Sequence, residues 1–214
     1  MELPLVVKPL LRGRLHQVAA FAAVPAGTVL VVVADGSQAR IGAIVYAAAL
    51  ITQFTSSAAY HLGRWGDRAR SRMQRLDHST IFVLIAGTYT PFALLVLEGP
   101  TAIAVLAVAW AGAAIGVGIK LYRADLHVLS GILYIGLGWV IIVVLPALVR
   151  ELSGVQLALA FAGGLTYSLG ALVLALKRPN PWPHVFGYHE VWHAATVVAA
   201  VFLYLAVLLE LLSR

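Results

Sequence analysis

Long apolar segments alternate with short polar connections along almost the whole chain. Seven of these segments approach the length of about 20 residues that a helix needs to cross the hydrocarbon core of a bilayer. Backbone groups in lipid must find their hydrogen bonds inside the protein, so we predict an all-α bundle of seven transmembrane helices. We treat residues 1–214 as a single integral membrane domain. The predicted segments are residues 15–34, 41–62, 78–97, 101–121, 127–149, 155–176 and 190–211.

Two prolines and a pair of glycines predict where the segments bend and where they pack closely. Pro91 and Pro146 lie inside predicted segments. Proline lacks a backbone N–H and its ring displaces the carbonyl one turn earlier, so we expect a kink at each. Gly112 and Gly116 are separated by four residues on the fourth segment, a spacing typical of close contact between membrane helices.

The composition supports a membrane protein and excludes several kinds of chemistry. Hydrophobic residues make up 61% of the chain and charged residues 11%, whereas a soluble domain carries about 25% charged residues. The chain has no cysteine, which excludes disulfides, thiolate metal ligands and cysteine nucleophiles. The net charge of +6 would suggest a nucleic-acid partner in a soluble protein. Here its distribution relative to the membrane explains it, and we expect no such partner.

Lysine and arginine residues fix the predicted orientation of the helices. Twelve of the 15 flank the segments on the side of the N-terminal tail, and Arg40, Arg150 and Arg214 flank them on the other. Because cytoplasmic loops carry the excess of Lys and Arg, the N-terminus is predicted in the cytoplasm and the C-terminus outside it. Five arginines between residues 64 and 75 are expected to anchor this topology and to contact anionic headgroups.

Three histidines and one aspartate lie at segment ends on this same cytoplasmic side: His61, Asp77, His189 and His193. The distribution of Lys and Arg that predicts this topology involves no histidine. Ionisable groups that converge at one membrane depth indicate a functional site. His189 and His193 are four residues apart, as are Ser57 and His61, so each pair shares one helical face. Three imidazoles with a nearby carboxylate suit Zn²⁺, and three protein ligands with an open position are typical of catalytic zinc.

Residues 189–193 read H-E-V-W-H, which matches the zincin motif. In a zincin the glutamate activates the water on the metal. We favour another interpretation, because this helix enters a membrane and a third ligand must come from elsewhere. Glu190 is then a charge at a helix N-terminus, where the helix dipole stabilises it.

The remaining histidines are weaker candidates for the site. His16, His127 and His184 lie near segment ends without a partner at helical spacing, so we predict interfacial or structural roles for them. His78 follows Asp77 directly and therefore points about 100° away from it on a helix. We expect His78 to orient a ligand at most, not to bind the same ion.

Four motifs, taken together, resemble the hemolysin III proteins, the bacterial branch of the progestin and adipoQ receptor family. They are S-S-A-A-Y-H at 56–61, R-L-D-H-S at 75–79, A-G-T-Y-T-P-F at 86–92 and F-G-Y-H-E-V-W-H at 186–193. The resemblance implies an intramembrane zinc near the cytoplasmic face of the bacterial inner membrane. It also implies that His61, His189 and His193 bind zinc directly, that Asp77 holds a zinc-bound water, and that Ser57 lies close to the site.

The resemblance also bears on function. The related adiponectin receptors resemble ceramide-type amide hydrolases, and the bacterial branch is associated with membrane-fluidity homeostasis and a haemolytic activity. We therefore expect a zinc-dependent hydrolase of a lipid amide or ester, with membrane lipids as partners. Asp77 would take the proton of the attacking water, and Ser57 would stabilise that water or the oxyanion. Two alternatives remain: a non-enzymatic membrane sensor that zinc staples together, and a pore.

Overall fold

The computed structural model describes residues 8–123 and 125–214 of the chain. Residues 1–7, residue 124 and the side chain of His127 lie outside the described part, so the single domain over residues 1–214 stays a prediction. Seven helical spans within the described residues are long and apolar enough to cross a membrane. The all-α bundle with seven spans is therefore confirmed.

The helices follow the predicted segments in order, and the fifth span consists of more than one piece. Their bounds are α1 (Arg14–Val33), α2 (Gly36–Leu62), α3 (Asp67–Leu95), α4 (Gly99–Tyr122), α5 (His127–Gly138), a 3₁₀ turn (Trp139–Val144), α6 (Leu145–Glu151), α7 (Gly154–Leu176) and α8 (Tyr188–Leu212).

Helices α2 and α3 are the most buried of the seven spans. Helix α2 packs between α1 and α3, and α4 covers α3 on another side. Helix α8 packs on α7 and α1 and also contacts α3. Two backbone hydrogen bonds, Leu10 N–H to His184 O at 3.0 Å and Leu11 N–H to Val185 O at 3.1 Å, tie the entry to α1 to the entry to α8. The beginnings of α1 and α8 therefore meet at one end of the bundle.

Two helices begin five or more residues before the predicted membrane segments. Helix α2 begins at Gly36 where residue 41 was predicted, and α3 begins at Asp67 where residue 78 was predicted. Charged residues fill the first turns of α3. Hydropathy identifies only the apolar part of a helix, so it misses turns that are helical but charged. Asp77 therefore lies well inside α3, and four of the five arginines, those from Arg68 to Arg75, are on its first turns.

The fifth span is interrupted around the predicted kink at Pro146. Helix α5 ends at Gly138, and Pro146 is in the first turn of α6. The Tyr89 hydroxyl shares its one hydrogen between Leu137 O at 3.0 Å and Gly138 O at 2.8 Å, and it accepts from Ile141 N–H at 2.9 Å. An interrupted helix in lipid must re-satisfy its backbone groups, and this tyrosine does so. Helix α3 continues through Pro91, where the bend itself stays a prediction.

The paired glycines of α4 allow close packing inside the protein. A Cβ atom on Gly112 would lie 2.7 Å from the Leu137 side chain, and one on Gly116 would lie 2.4 Å from the ring of Phe82. Contacts below 3.0 Å do not occur for real Cβ atoms. The predicted close contact is therefore confirmed, and it joins α4 to α5 and α3.

A buried polar cluster joins helices at the opposite end of the bundle. Glu210 of α8 is 5% exposed and accepts from Gln156 Nε2 at 2.9 Å and from Arg214 Nε at 2.8 Å. Arg214 also donates to the carbonyl oxygen of Leu95, at the end of α3. Because a buried carboxylate is costly unless it is paired, this cluster holds the ends of α3, α7 and α8 together.

Candidate metal centre

Three imidazoles come together where α2 ends and α8 begins. His61 lies in the last turn of α2, and His189 and His193 lie in the first two turns of α8. Their ring centroids are 4.7 to 5.0 Å apart. One nitrogen from each ring lies within 4.8 Å of the other two. The structure therefore brings together the three histidines that the sequence predicted as metal ligands, and they could hold one metal ion.

The donor set and its surroundings fit a divalent cation that prefers nitrogen. Zinc–nitrogen distances of about 2.0–2.1 Å in a tetrahedral site separate two ligand nitrogens by roughly 3.3 Å, so the rings would close around the ion from separations of up to 4.8 Å. Nδ1 of His193 is buried and has no hydrogen-bond partner among the described residues. An unsatisfied buried nitrogen is costly, and coordination by a metal ion would satisfy it.

Asp77 lies beside His61, at the end of the bundle where the sequence predicted it. Its Oδ2 is 3.7 Å from Nε2 of His61, and the residue is 5% exposed. This distance is too long for a direct hydrogen bond, and it leaves the carboxylate at the edge of the ligand cluster. Ser57, one turn before His61 on α2, faces the same carboxyl group. Whether Asp77 would contact the metal directly or through water stays a prediction.

His16 belongs to the centre, although the sequence suggested only an interfacial or structural role for it. It is 2% exposed, and its ring stacks on that of His193 with centroids 3.9 Å apart and planes at 4°. Nδ1 is 2.8 Å from the Ser57 hydroxyl, and Nε2 is 2.8 Å from the hydroxyl of Thr196. Spacing along the chain could not reveal these contacts, because the partners of His16 are on α2 and α8.

Glu190 performs the structural role that we favoured over the zincin interpretation. It is fully buried, and it forms an ion pair with Arg12. Its second oxygen accepts from the Gly187 backbone N–H at 2.9 Å, at the start of α8. One carboxylate oxygen thus ties the chain just before α1 to α8, and the other caps the first turn of α8.

Cationic side chains surround this end of the bundle. Lys8 donates to the carbonyl oxygen of His61 at the end of α2. The Arg70 guanidinium lies 5.8 Å from the ring centroid of Tyr60, whose ring is 4.6 Å from that of His61. Burial, and then the nearby charges of Arg70 and Arg12, lower the pKa of Lys8. The side of the protein that carries the histidines is therefore positively charged.

The other predicted positions lie outside the ligand cluster. His78 is half-buried, and its backbone carbonyl accepts from the Tyr134 hydroxyl at 2.8 Å. It is not among the three histidines whose nitrogens converge, as predicted. His184 is exposed in the connection between α7 and α8.

A glycine at the start of α1 allows the close approach to His61. Gly13 has φ +83°, and a Cβ atom there would lie 2.6 Å from the Cβ of His61. We expect Gly13→Ala to displace His61 and to weaken zinc binding about tenfold or more, comparable to the loss of an outer-shell partner. Titration of the purified variant with zinc against a competing chelator measures this change.

Gly36→Ala is the matched control for this prediction. Gly36 has φ +78°, but a Cβ atom there would meet nothing within 4 Å. Both substitutions place a Cβ in the left-handed region, at a cost of roughly 1–2 kcal/mol. Equal loss of zinc affinity in both variants would mean that backbone strain, not contact with His61, is responsible.

Comparison with known proteins identifies the family of this chain. The sequence model of the haemolysin-III related family matches residues 5–204. A protein of Bacillus cereus described as Hemolysin-3 is 30% identical over 201 residues, which cover 92% of this chain and 89% of that protein. The Hemolysin-3 homolog of Bacillus subtilis (strain 168) is 27% identical over 197 residues, or 90% of this chain and 89% of the relative. The chain belongs to the haemolysin-III related family.

Proposed function

We propose that the protein is a zinc-dependent hydrolase that cleaves an amide or ester bond in a membrane lipid. The observation that carries this proposal is the position of Asp77. The Asp77 carboxylate is 3.7 Å from one of three converging imidazoles, which is too far for a direct hydrogen bond to that ring. A water molecule on a metal held by the imidazoles would be within its reach. This arrangement provides three nitrogen ligands and a separate group that accepts protons.

An apolar cavity between helices that include those carrying Asp77 and His193 supports a lipid substrate. It has a volume of about 160 Å³ and lies between α3, α5, α7 and α8. Ile81, one turn beyond Asp77 on α3, and Trp192, next to His193 on α8, both line it. Apolar pockets with a few polar groups at one end are typical ligand sites. An acyl chain in this cavity would place the polar linkage of the lipid near the histidines.

The proposed chemistry assigns a separate task to each group. Zinc held by His61, His189 and His193 would polarise the scissile carbonyl and lower the pKa of the attacking water from 15.7 to about 7. Asp77 accepts a proton from that water and returns it to the leaving amine or alcohol, as a general base and then a general acid. Ser57 holds the water or the developing oxyanion.

The proposed location is the bacterial inner membrane, with the centre near the cytoplasmic face. The histidines lie at the end of the bundle that carries Lys8, Arg12 and Arg70, and Lys and Arg concentrate on the cytoplasmic side of membrane proteins. Lipid acyl chains can then remain in the bilayer while the bond to be cleaved reaches the centre. Membrane lipids are the proposed partners, and nucleic acid is not among them.

Turnover of defined lipids by purified protein tests this proposal. We expect hydrolysis of a long-chain amide, such as a ceramide, or of an ester with the same acyl chains. Prolonged dialysis against a chelator should abolish the activity, and one equivalent of zinc per chain should restore it, because the ligand set supplies no other electrophile.

The comparison of the amide with its ester also identifies the class of bond. Hydrolysis that survives complete removal of the metal would contradict the proposal. So would the absence of turnover on both substrates by protein that retains one zinc per chain.

A further inference from the structure

Two cationic side chains next to the histidines have no carboxylate partner. Lys8 donates to the carbonyl oxygen of His61. The Arg70 guanidinium lies 5.8 Å from the ring centroid of Tyr60, whose ring is 4.6 Å from that of His61. Lys8 and Arg70 are close enough for their charges to interact, and no ion pair among the described residues includes either of them. Two uncompensated positive charges therefore lie beside the end of α2.

Helix α3 places a cation, a carboxylate and an apolar surface in order along one face. Arg70 precedes Asp77 by seven residues, which is two helical turns or about 10 Å. Ile81 follows Asp77 by one turn, and Thr88 follows Ile81 by two turns; both line the apolar cavity. Residues at these spacings share one side of a helix. From its charged end inward, this face therefore carries a positive charge, the proposed proton acceptor and a wall of the cavity.

A phospholipid has its chemical groups in the same order. Its phosphate is followed by the acyl ester or amide bonds, and these are followed by the hydrocarbon chains. Acyl chains in the cavity and a bond to be cleaved at the histidines would place the phosphate at Lys8 and Arg70. Lysine and arginine form strong charge-assisted hydrogen bonds with phosphate oxygens. Because the two positive charges are uncompensated, they favour a lipid of net negative charge over a zwitterionic one.

We propose that Lys8 and Arg70 bind the phosphate of the substrate, so that the preferred substrate is an anionic phospholipid. Water then cleaves the acyl ester or amide bond next to the phosphate, which releases a fatty acid and leaves the phosphate on the other fragment. This inference rests on the proposed hydrolase for its kinetic consequences. The binding of an anionic lipid by these two side chains can be measured without turnover.

Calorimetric titration with short-chain ether lipids tests the binding, because their alkyl chains cannot be hydrolysed. We expect the purified protein to bind dihexyl phosphatidylglycerol at least about tenfold more tightly than dihexyl phosphatidylcholine, which has the same chains but no net charge. The double variant Lys8→Gln with Arg70→Gln should bind the two lipids with affinities within about threefold of each other. Equal affinity of the wild type for both lipids would overturn the proposal. Equally tight binding of inorganic phosphate would also overturn it, because the site would then recognise a free ion.

Arg72→Gln is the matched control for the binding measurement. Arg72 is exposed and carries the same charge on the same helix, but it lies two residues beyond Arg70 and therefore on the opposite side of α3. The variant should keep the wild-type preference for the anionic lipid, whereas Arg70→Gln alone should reduce that preference by roughly threefold or more. Equal reductions in the two variants would overturn the proposal, because the overall positive charge of this end would then explain the preference.

Two pairs of substrates test the consequence for hydrolysis. Ceramide and its phosphorylated form differ only in the phosphate, as do diacylglycerol and phosphatidic acid. For whichever pair is cleaved, we expect kcat/KM to be at least about tenfold higher for the phosphorylated lipid. The difference should lie in KM, because the phosphate is bound alike in the substrate and in the transition state. In the double variant the ratio of the two kcat/KM values should fall to within about threefold of one.

The outcomes distinguish this inference from the proposed function. The double variant should retain one zinc per chain. If Lys8→Gln lowers the zinc content through its contact with His61, Arg70→Gln decides the test alone, since the Tyr60 ring separates its guanidinium from His61. A wild-type ratio near one on a cleaved pair would overturn the inference and leave the hydrolase standing. Absence of turnover on all four lipids would overturn the hydrolase, and the calorimetric preference would then decide the inference.

Discussion

Replacing His189 with alanine is expected to abolish stoichiometric metal binding. The wild-type protein should hold one zinc per chain, because His61, His189 and His193 place three nitrogens within 4.8 Å of one another. Loss of an outer-shell partner already costs about 10- to 100-fold in metal affinity, so loss of a direct ligand should cost more than about 100-fold. Elemental analysis of the purified variant measures the remaining zinc.

His184→Ala is the control for this prediction, because His184 is exposed in the connection before α8. It should retain one zinc per chain, and His61→Ala and His193→Ala should both behave like His189→Ala. Normal zinc content in any one of the three alanine variants would remove that histidine from the ligand set.

Asp77→Asn is expected to cause a large loss of hydrolysis without loss of zinc. The amide has nearly the same size as the carboxylate but is not a base, so the variant should keep zinc and lose hydrolysis. Proton transfer by a positioned side chain contributes typically 10²- to 10⁴-fold, and kcat should fall within that range. Metal content and turnover on the same preparation provide the measurement.

Asp67→Asn is the matched control, because Asp67 is an exposed carboxylate in the first turn of the same helix. It should leave both metal content and turnover unchanged. Unchanged hydrolysis by zinc-loaded Asp77→Asn would remove Asp77 from the mechanism. Loss of the zinc itself would instead indicate that Asp77 is a direct ligand.

The sequence was sufficient to predict the spans and the convergence of three histidines, for a physical reason. Lipid requires long apolar helices, so the number of spans and their order can be read from hydropathy. Helical periodicity then predicts that His189 and His193 share a face, and the topology places His61 at the same end of the bundle. The structure brings these three residues together.

The sequence was not sufficient for contacts that depend on how the helices pack. His16 has no partner at helical spacing in its own helix, yet it bonds to Ser57 and Thr196 and stacks on His193. The pairing of Arg12 with Glu190 likewise joins residues 178 positions apart. Periodicity within one helix carries no information about such pairs, because they depend on the rotation and depth of neighbouring helices.

The sequence also predicted the positions of the helix ends less well than the number and order of the helices. Charged residues in the first turns of α3 conceal a helix that begins at Asp67. In the fifth span, Pro146 indicated the kink, but the 3₁₀ turn over Trp139–Val144 depends on the Tyr89 hydroxyl of another helix. A local pattern cannot predict a turn that is stabilised from outside it.

X-ray absorption at the zinc edge of the purified wild-type protein separates a catalytic metal site from a structural one. We expect one zinc per chain with three imidazole nitrogens at about 2.0–2.1 Å and one exchangeable oxygen, the open arrangement of a catalytic site. Four protein ligands and no exchangeable position would contradict it and favour a structural staple between α2 and α8. Protein without stoichiometric metal would contradict both.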